Sequence, residues 1–168
     1  MLAMSSGSAT TPSGIVAAAA STPWASKKSW LKDVWTQPGA TANAVSSLSI
    51  EPMLMLACLD RGSRTLLAVQ AADRFGVSVL HKGQEAVARA FATKAPVAEK
   101  WEGVGWSERD GIPAIDDALV WIACDLRDVL AAGDHVIVTG EVTALAGGEG
   151  DPLIFHGGEY LPLYPPQR

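Results

Sequence analysis

Runs of basic residues, long apolar segments and paired cysteines are all missing from this 168-residue chain. Eighteen acidic side chains stand against thirteen basic ones, and no cluster of Lys or Arg offers to release counterions from a polyphosphate backbone. Nucleic acid is therefore excluded as an expected partner. No stretch approaches the roughly 18 apolar residues of a membrane span. The apolar run IVAAAA is short and has no Lys or Arg before it, so a secretory leader is not indicated and a soluble, cytoplasmic protein is expected. Cys58 and Cys124 lie far apart in apolar surroundings with no CxxC spacing, which predicts two buried free thiols and neither a disulfide nor a zinc site. His81, His135 and His156 are likewise scattered, without a helical HxxxH, so no metal is expected. Also absent are GxGxxG, GxxxxGK[ST] and GxSxG, which removes the dinucleotide fingerprint, the phosphate-binding loop and the hydrolase nucleophile elbow. Any nucleotide bound here must be held in another way.

The length suits one domain, able to bury roughly 70% of the unfolded chain's surface. Residues 1–12 are mostly small or hydroxylated and read as a flexible tail, leaving 13–168 as the domain. SGIVAAAAS at 13–21 predicts a first strand. Residues 22–39 carry Trp24, Trp30 and Trp35 between prolines and read either as a flap packed on the domain or a second subunit, or as a lid over a ligand. Met53 to Leu59 is continuously apolar, the pattern of a strand buried on both faces. Residues 62–74 predict a helix capped by Ser63, with Leu66, Leu67 and Val69 on its apolar side. FGVSVL at 75–80 is a strand, and 83–95 a second amphipathic helix.

From residue 118 the period changes to two. Val120, Ile122, Cys124 and Leu126 alternate with Trp121, Ala123, Asp125 and Arg127, and AAGD at 131–134 predicts the turn into a strand through Val136 and Val138. PLIFHGGEYLPL adds one or two strands broken at Gly157 and Gly158. Many strands joined by tight turns, with few short helices, predict a mainly β protein: a split antiparallel β-barrel rather than a doubly wound sheet.

One segment stands out chemically. GATANAVSSLSIEP, at 39–52, crowds Thr41, Asn43, Ser46, Ser47 and Ser49 ahead of the apolar strand, and CLDRGSRT follows at 58–65. Hydroxyls and main-chain N–H groups beside a helix N-terminus near Ser63 suit a phosphate without a lysine cage; equally, Ser63 serves as a simple cap and the serines as strand-edge decoration.

These blocks, followed in order by FGVSVL, ARAFA, GIPAIDDALVWIACDLRDVLAAGDHVIVTGEV and DPLIFHGGEY, resemble the short-chain flavin reductase family, whose members serve as reductase components of two-component flavin monooxygenases. The resemblance runs from about 39 to 161. It implies a homodimeric split barrel that binds FMN or FAD and reduces it with NADH or NADPH, passing reduced flavin to a separate monooxygenase. Alternatives are a flavin-binding module without turnover and an oxygenase of the same fold with its own organic substrate. The resemblance places the flavin ring and ribityl chain against Thr41, Ala42, Asn43 and Ala44, with Ser46 and Ser47 behind. It places the flavin phosphate near Asp60, Arg61, Ser63 and Thr65, and borders the flavin with Phe91, Lys100 and Trp101. His135 of the GDH block falls beside the nicotinamide, with a hairpin cap as the other reading, and His156 and Gly157 fall in the same cleft. His81 remains a surface residue. The chain departs from the family pattern at Thr11, where an aromatic is usual, and at Ser78, where relatives often carry Asn. Hydride transfer between the two rings needs them held at about 3 to 3.5 Å and requires no general base from the protein.

Overall fold

The computed structural model describes residues 13–14, 16–19 and 37–162. The predicted tail at 1–12 and most of the Trp-rich segment, with Trp24, Trp30 and Trp35, lie outside the described residues. In chain order the elements are β1 (Ser13–Gly14), β2 (Val16–Ala19), β3 (Gly39–Ala42), β4 (Val45–Ser49), β5 (Leu54–Asp60), α1 (Arg64–Ala72) and β6 (Arg74–Val79). Then come α2 (Glu85–Ala92), α3 (Val97–Trp101), β7 (Trp106–Arg109), β8 (Ile112–Ile115), β9 (Val120–Ala132), β10 (His135–Gly147), β11 (Ile154–His156) and β12 (Glu159–Leu161).

Seven strands form the main sheet in the order β3-β2-β6-β9-β10-β5-β4, every pairing antiparallel. Its two edges, β3 and β4, are separated only by Asn43 and Ala44, and the Cys58 amide donates to Ala44 O at 2.9 Å. The edges are thus one bent strand, paired with β2 before the bend and with β5 after it, and the sheet closes there as a split barrel. This is the mainly β, split antiparallel barrel that the strand periodicity predicts. A three-stranded sheet, β1-β11-β12, and the β7-β8 hairpin complete it.

The interior is filled by alternate residues: Ala57 and Leu59 from β5, Phe75 and Val77 from β6, Ile122 and Cys124 from β9, Val136 and Val138 from β10. Leu66 and Val69 of α1 join them. Gly140 is required here, because a Cβ at that position would stand 2.5 Å from the Phe75 ring. On β9 the opposite face is buried too, since Ile112 and Ala114 of β8 lie against Trp121 and Ala123.

No such cover lies over β5 among the described residues, and this corrects one expectation: the strand is buried on one face, with Leu54, Leu56 and Cys58 only half-buried. Leu67 is a second correction. It is 62% exposed, because the short α1 turns Thr65, Leu66 and Val69 inward and leaves Leu67 on its outer side. The thiols divide as well: Cys124 is buried, and desolvation, then Asp125, push it up to about 12, whereas Cys58 is only half-buried.

Candidate functional site

A cleft of about 230 Å³ opens where β3, the end of β5, the cap of α1 and the start of β10 converge. Its walls are Ala40, Thr41, Ala42, Asn43 and Ala44 on one side, with Cys58, Leu59, Asp60, Ser63 and His135 on the other. The chain makes this surface because the β3–β4 bend exposes two residues of main chain between paired segments. Three alanines leave a flat, small-residue wall, while Asn43 contributes an exposed amide. Thr41 contributes less than its type suggests, because its hydroxyl donates to Ala88 O at 2.7 Å and anchors β3 to α2.

The floor is a tight loop with its polar groups already engaged. Asp60 Oδ1 accepts from the Gly62 amide at 2.7 Å, and Asp60 O accepts from the Ser63 amide at 3.0 Å. Ser63 Oγ accepts from the Leu66 amide at 3.1 Å, so it is the helix cap the sequence predicts while also lining the cleft. The positive end of the α1 dipole therefore faces the cleft, a setting that favours an anionic group.

His135 sits beside that loop at the lip, paired across the ladder with Asp60 as the first residue of β10, after a two-residue turn in which Gly133 has φ +66°. Its Nδ1 lies 2.9 Å from Asp134 Oδ1. That hydrogen bond, helped by the charges of Asp134 and Asp60, raises the imidazole above its usual 6.5, and the same bond lowers Asp134. With Nδ1 engaged, Nε2 is the nitrogen left to meet a ligand.

Seven of the residues singled out in the sequence meet at this cleft: Thr41, Ala42, Asn43, Ala44, Asp60, Ser63 and His135. The others are placed elsewhere. Ser46 and Ser47 are exposed on β4, where Ser46 Oγ donates to Ser47 O at 3.1 Å. Arg61 borders the lip but does not line the cleft, and Thr65 is buried in the first turn of α1. His156 and Gly157 lie at the exposed β11–β12 turn. Ser78 is buried against β8, accepting from the Ile115 amide at 3.4 Å.

Phe91, Lys100 and Trp101 form a brace behind β3. Phe91 is 1% exposed and packs edge-on against Trp101 at 4.7 Å. Trp101 Nε1 donates to Gln37 O at 2.8 Å, and Lys100 Nζ donates to Gly39 O and Phe91 O, both at 3.3 Å. Burial, then the nearby Arg64 charge, hold the Lys100 ammonium below its usual value. These residues fix the chain that enters the cleft wall rather than face the cleft.

Sequence reading missed three lining residues, Ala40, Cys58 and Leu59, of which Cys58 is the one with a reactive side chain. Period two along β5 carries the signal, since Ala57 and Leu59 point into the barrel and Cys58 takes the opposite face. A larger hollow, about 510 Å³, opens between the loops holding His81, Asp117 and Gly150. No residue singled out for flavin or nicotinamide lies there.

Comparison with known proteins gives the family. Residues 7–164 match the family described as flavin reductase like domain. A probable flavin reductase of Rhizobium meliloti is 38% identical over 124 residues, covering 73% of this chain but only 39% of that protein. The reductase subunit of a flavin-dependent monooxygenase from Mycobacterium tuberculosis is 34% identical, covering 76% of this chain and 69% of its own. Among solved structures, the Streptomyces globisporus NADH:FAD oxidoreductase in complex with NAD and FAD fragments aligns with TM-score 0.81 and 27% identity, over 94% of this chain and 89% of that one. By fold, by sequence and by the match along nearly its whole length, this chain belongs to the flavin reductase-like family.

Proposed function

We propose that this chain is an NAD(P)H:flavin oxidoreductase that reduces FMN or FAD with NADH or NADPH and releases the reduced flavin to a separate monooxygenase. One observation carries the reading: the cleft joins a flat alanine wall, the α1 N-terminus and a carboxylate-bonded histidine in one space. The donor set fits a flavin. Ala42 and Ala44 let an aromatic ring approach the main chain, Asn43 offers an amide to ring polar atoms, and the α1 end favours the phosphate.

When both are bound, the nicotinamide passes a hydride to the flavin, so the chain need supply no acid, base or nucleophile. Its work is orientation. The brace at Lys100 and Trp101 fixes residues 37–39 and hence the wall that follows. His135 presents Nε2 at the nicotinamide side, held there by Asp134. In the same reading residues 13–168 act as one cytoplasmic domain. The exposed Leu48, Ile50 and Met53 around the β4–β5 turn suit a second copy in a homodimer.

The test is to mix the purified protein with FMN or FAD and NADH or NADPH and follow the nicotinamide absorbance. Flavin-dependent oxidation supports the reductase, and binding without oxidation leaves only a carrier. A second measurement locates the flavin: it should slow alkylation of Cys58, while Cys124 stays unlabelled until unfolding. Undiminished labelling of Cys58 at saturating flavin would place the flavin elsewhere.

A further inference from the structure

Arg61 is an exposed guanidinium beside the cleft, and family resemblance alone would spend it on the flavin phosphate. Its observed partners are different. The Arg61 amide donates to Asp134 O at 3.2 Å, and its Nη1 donates to Gly133 O at 3.1 Å. Those are the two residues of the β9–β10 turn. The β5–β10 ladder has its last pair at Asp60 and His135, so these two bonds extend the tie one step past the ladder and onto the turn itself. No carboxylate lies within ion-pair distance of Arg61 among the described residues.

We infer that Arg61 is a positioning residue for His135: a strap from the flavin side of the cleft to the turn that presents the imidazole. A two-residue turn at the tip of a hairpin is the part of a sheet most prone to local opening. Here it carries Asp134, whose carboxylate orients His135, so play in the turn becomes play in the ring that faces the nicotinamide. The strap fixes both turn carbonyls to the loop that also forms the cleft floor and caps α1. The flavin wall and the nicotinamide lip thereby keep one geometry. The charged groups facing His135 are Asp134 beside it and Asp60 across the ladder, with Arg61 acting through the turn carbonyls.

The assignment rests on the proposed reductase reading, and Arg61→Ala and Arg61→Lys separate the two. Loss of one charge-assisted hydrogen bond should raise the KM for NADH roughly tenfold in Arg61→Ala while the flavin Kd, read by fluorescence titration, stays within about twofold. Arg61→Lys, which keeps a donor for Gly133 O, should recover part of the loss. A second readout needs no turnover: the NMR titration of His135, assigned with His135→Gln, should move back toward 6.5 in Arg61→Ala as the Asp134 contact loosens. A tenfold rise in flavin Kd with KM unchanged would assign the guanidinium to the flavin phosphate instead. Should the wild-type protein oxidise no NADH, the reductase reading fails, and the His135 titration still decides the strap, an unmoved value overturning it.

Discussion

Two cations in this protein do the same chemistry in opposite surroundings. Lys100 is 7% exposed and donates to Gly39 O and Phe91 O inside the brace, whereas Arg61 is exposed and donates to Gly133 O at the cleft lip. Both tie main-chain carbonyls of segments that lead into the cleft. The buried tie is part of the core, so disturbing it should cost stability first. The exposed tie is screened and replaceable by water, so disturbing it should leave the fold and change geometry alone.

The contrast breaks most sharply at Phe91, the largest buried side chain of the brace. Phe91→Ala should cost about 3 to 5 kcal/mol and lower Tm by roughly 10 °C, since it leaves a cavity beside Trp101 and α2. A Tm within about 2 °C of wild type would show that the brace is not packed as a core.

Lys100→Met is the next largest effect. It removes the donor from two carbonyls and should cost about 1 to 3 kcal/mol, partly offset because an ammonium no longer needs desolvation. The pH dependence gives a cleaner signature. The folded state holds the Lys100 proton less tightly than the unfolded chain, so between the lowered value and 10.5 the unfolded chain binds more protons and stability rises with pH. Chemical denaturation at a series of alkaline pH values should show that rise in the wild type and lose it in Lys100→Met.

The sequence makes the barrel legible because its strands alternate in period two and its turns are marked by Gly133, Gly157 and Gly158. Ser63 is equally legible as a cap. Half of the site is hidden for a physical reason: residue type reports chemistry, and burial decides where that chemistry points. Thr41 and Ser63 carry hydroxyls suited to a ligand, yet one anchors α2 and the other caps α1. The family resemblance would set Phe91, Lys100 and Trp101 at the border of the flavin, yet α2 and α3 pack them together behind β3, with Phe91 and Lys100 buried. Cys58 looks like core because its neighbours are apolar, yet among the described residues no cover lies over β5 to shut it off from the cleft.

At the lip, Asp134→Asn should leave Tm nearly unchanged and alter a titration. The raised His135 favours the charged imidazole in the fold, so its contribution is fully present below 6.5 and fades as pH rises through the higher folded value. Replacing the carboxylate removes the first cause of that shift. NMR should then find the His135 titration midpoint above 6.5 in the wild type and lower in the variant; equal midpoints would mean that the Asp134 contact does not persist in solution.

The smallest expected effect belongs to the residues that draw the eye first. Two lost hydroxyl hydrogen bonds of about 1 kcal/mol each would raise a flavin Kd by tenfold or more, which is what Ser46 and Ser47 imply when read from the sequence alone. The structure sets both serines on the exposed face of β4, beyond the Asn43 and Ala44 bend that closes the wall, with Ser46 already bonded to Ser47 O. Water replaces such hydroxyls at little cost. A Ser46→Ala, Ser47→Ala double change should therefore move the flavin Kd by less than about twofold, because no bond to a ligand inside the 230 Å³ cleft is removed. A tenfold rise in fluorescence titration would instead mean that the bound flavin runs along β4 past the bend, so that the exposed edge belongs to the site as much as the wall does.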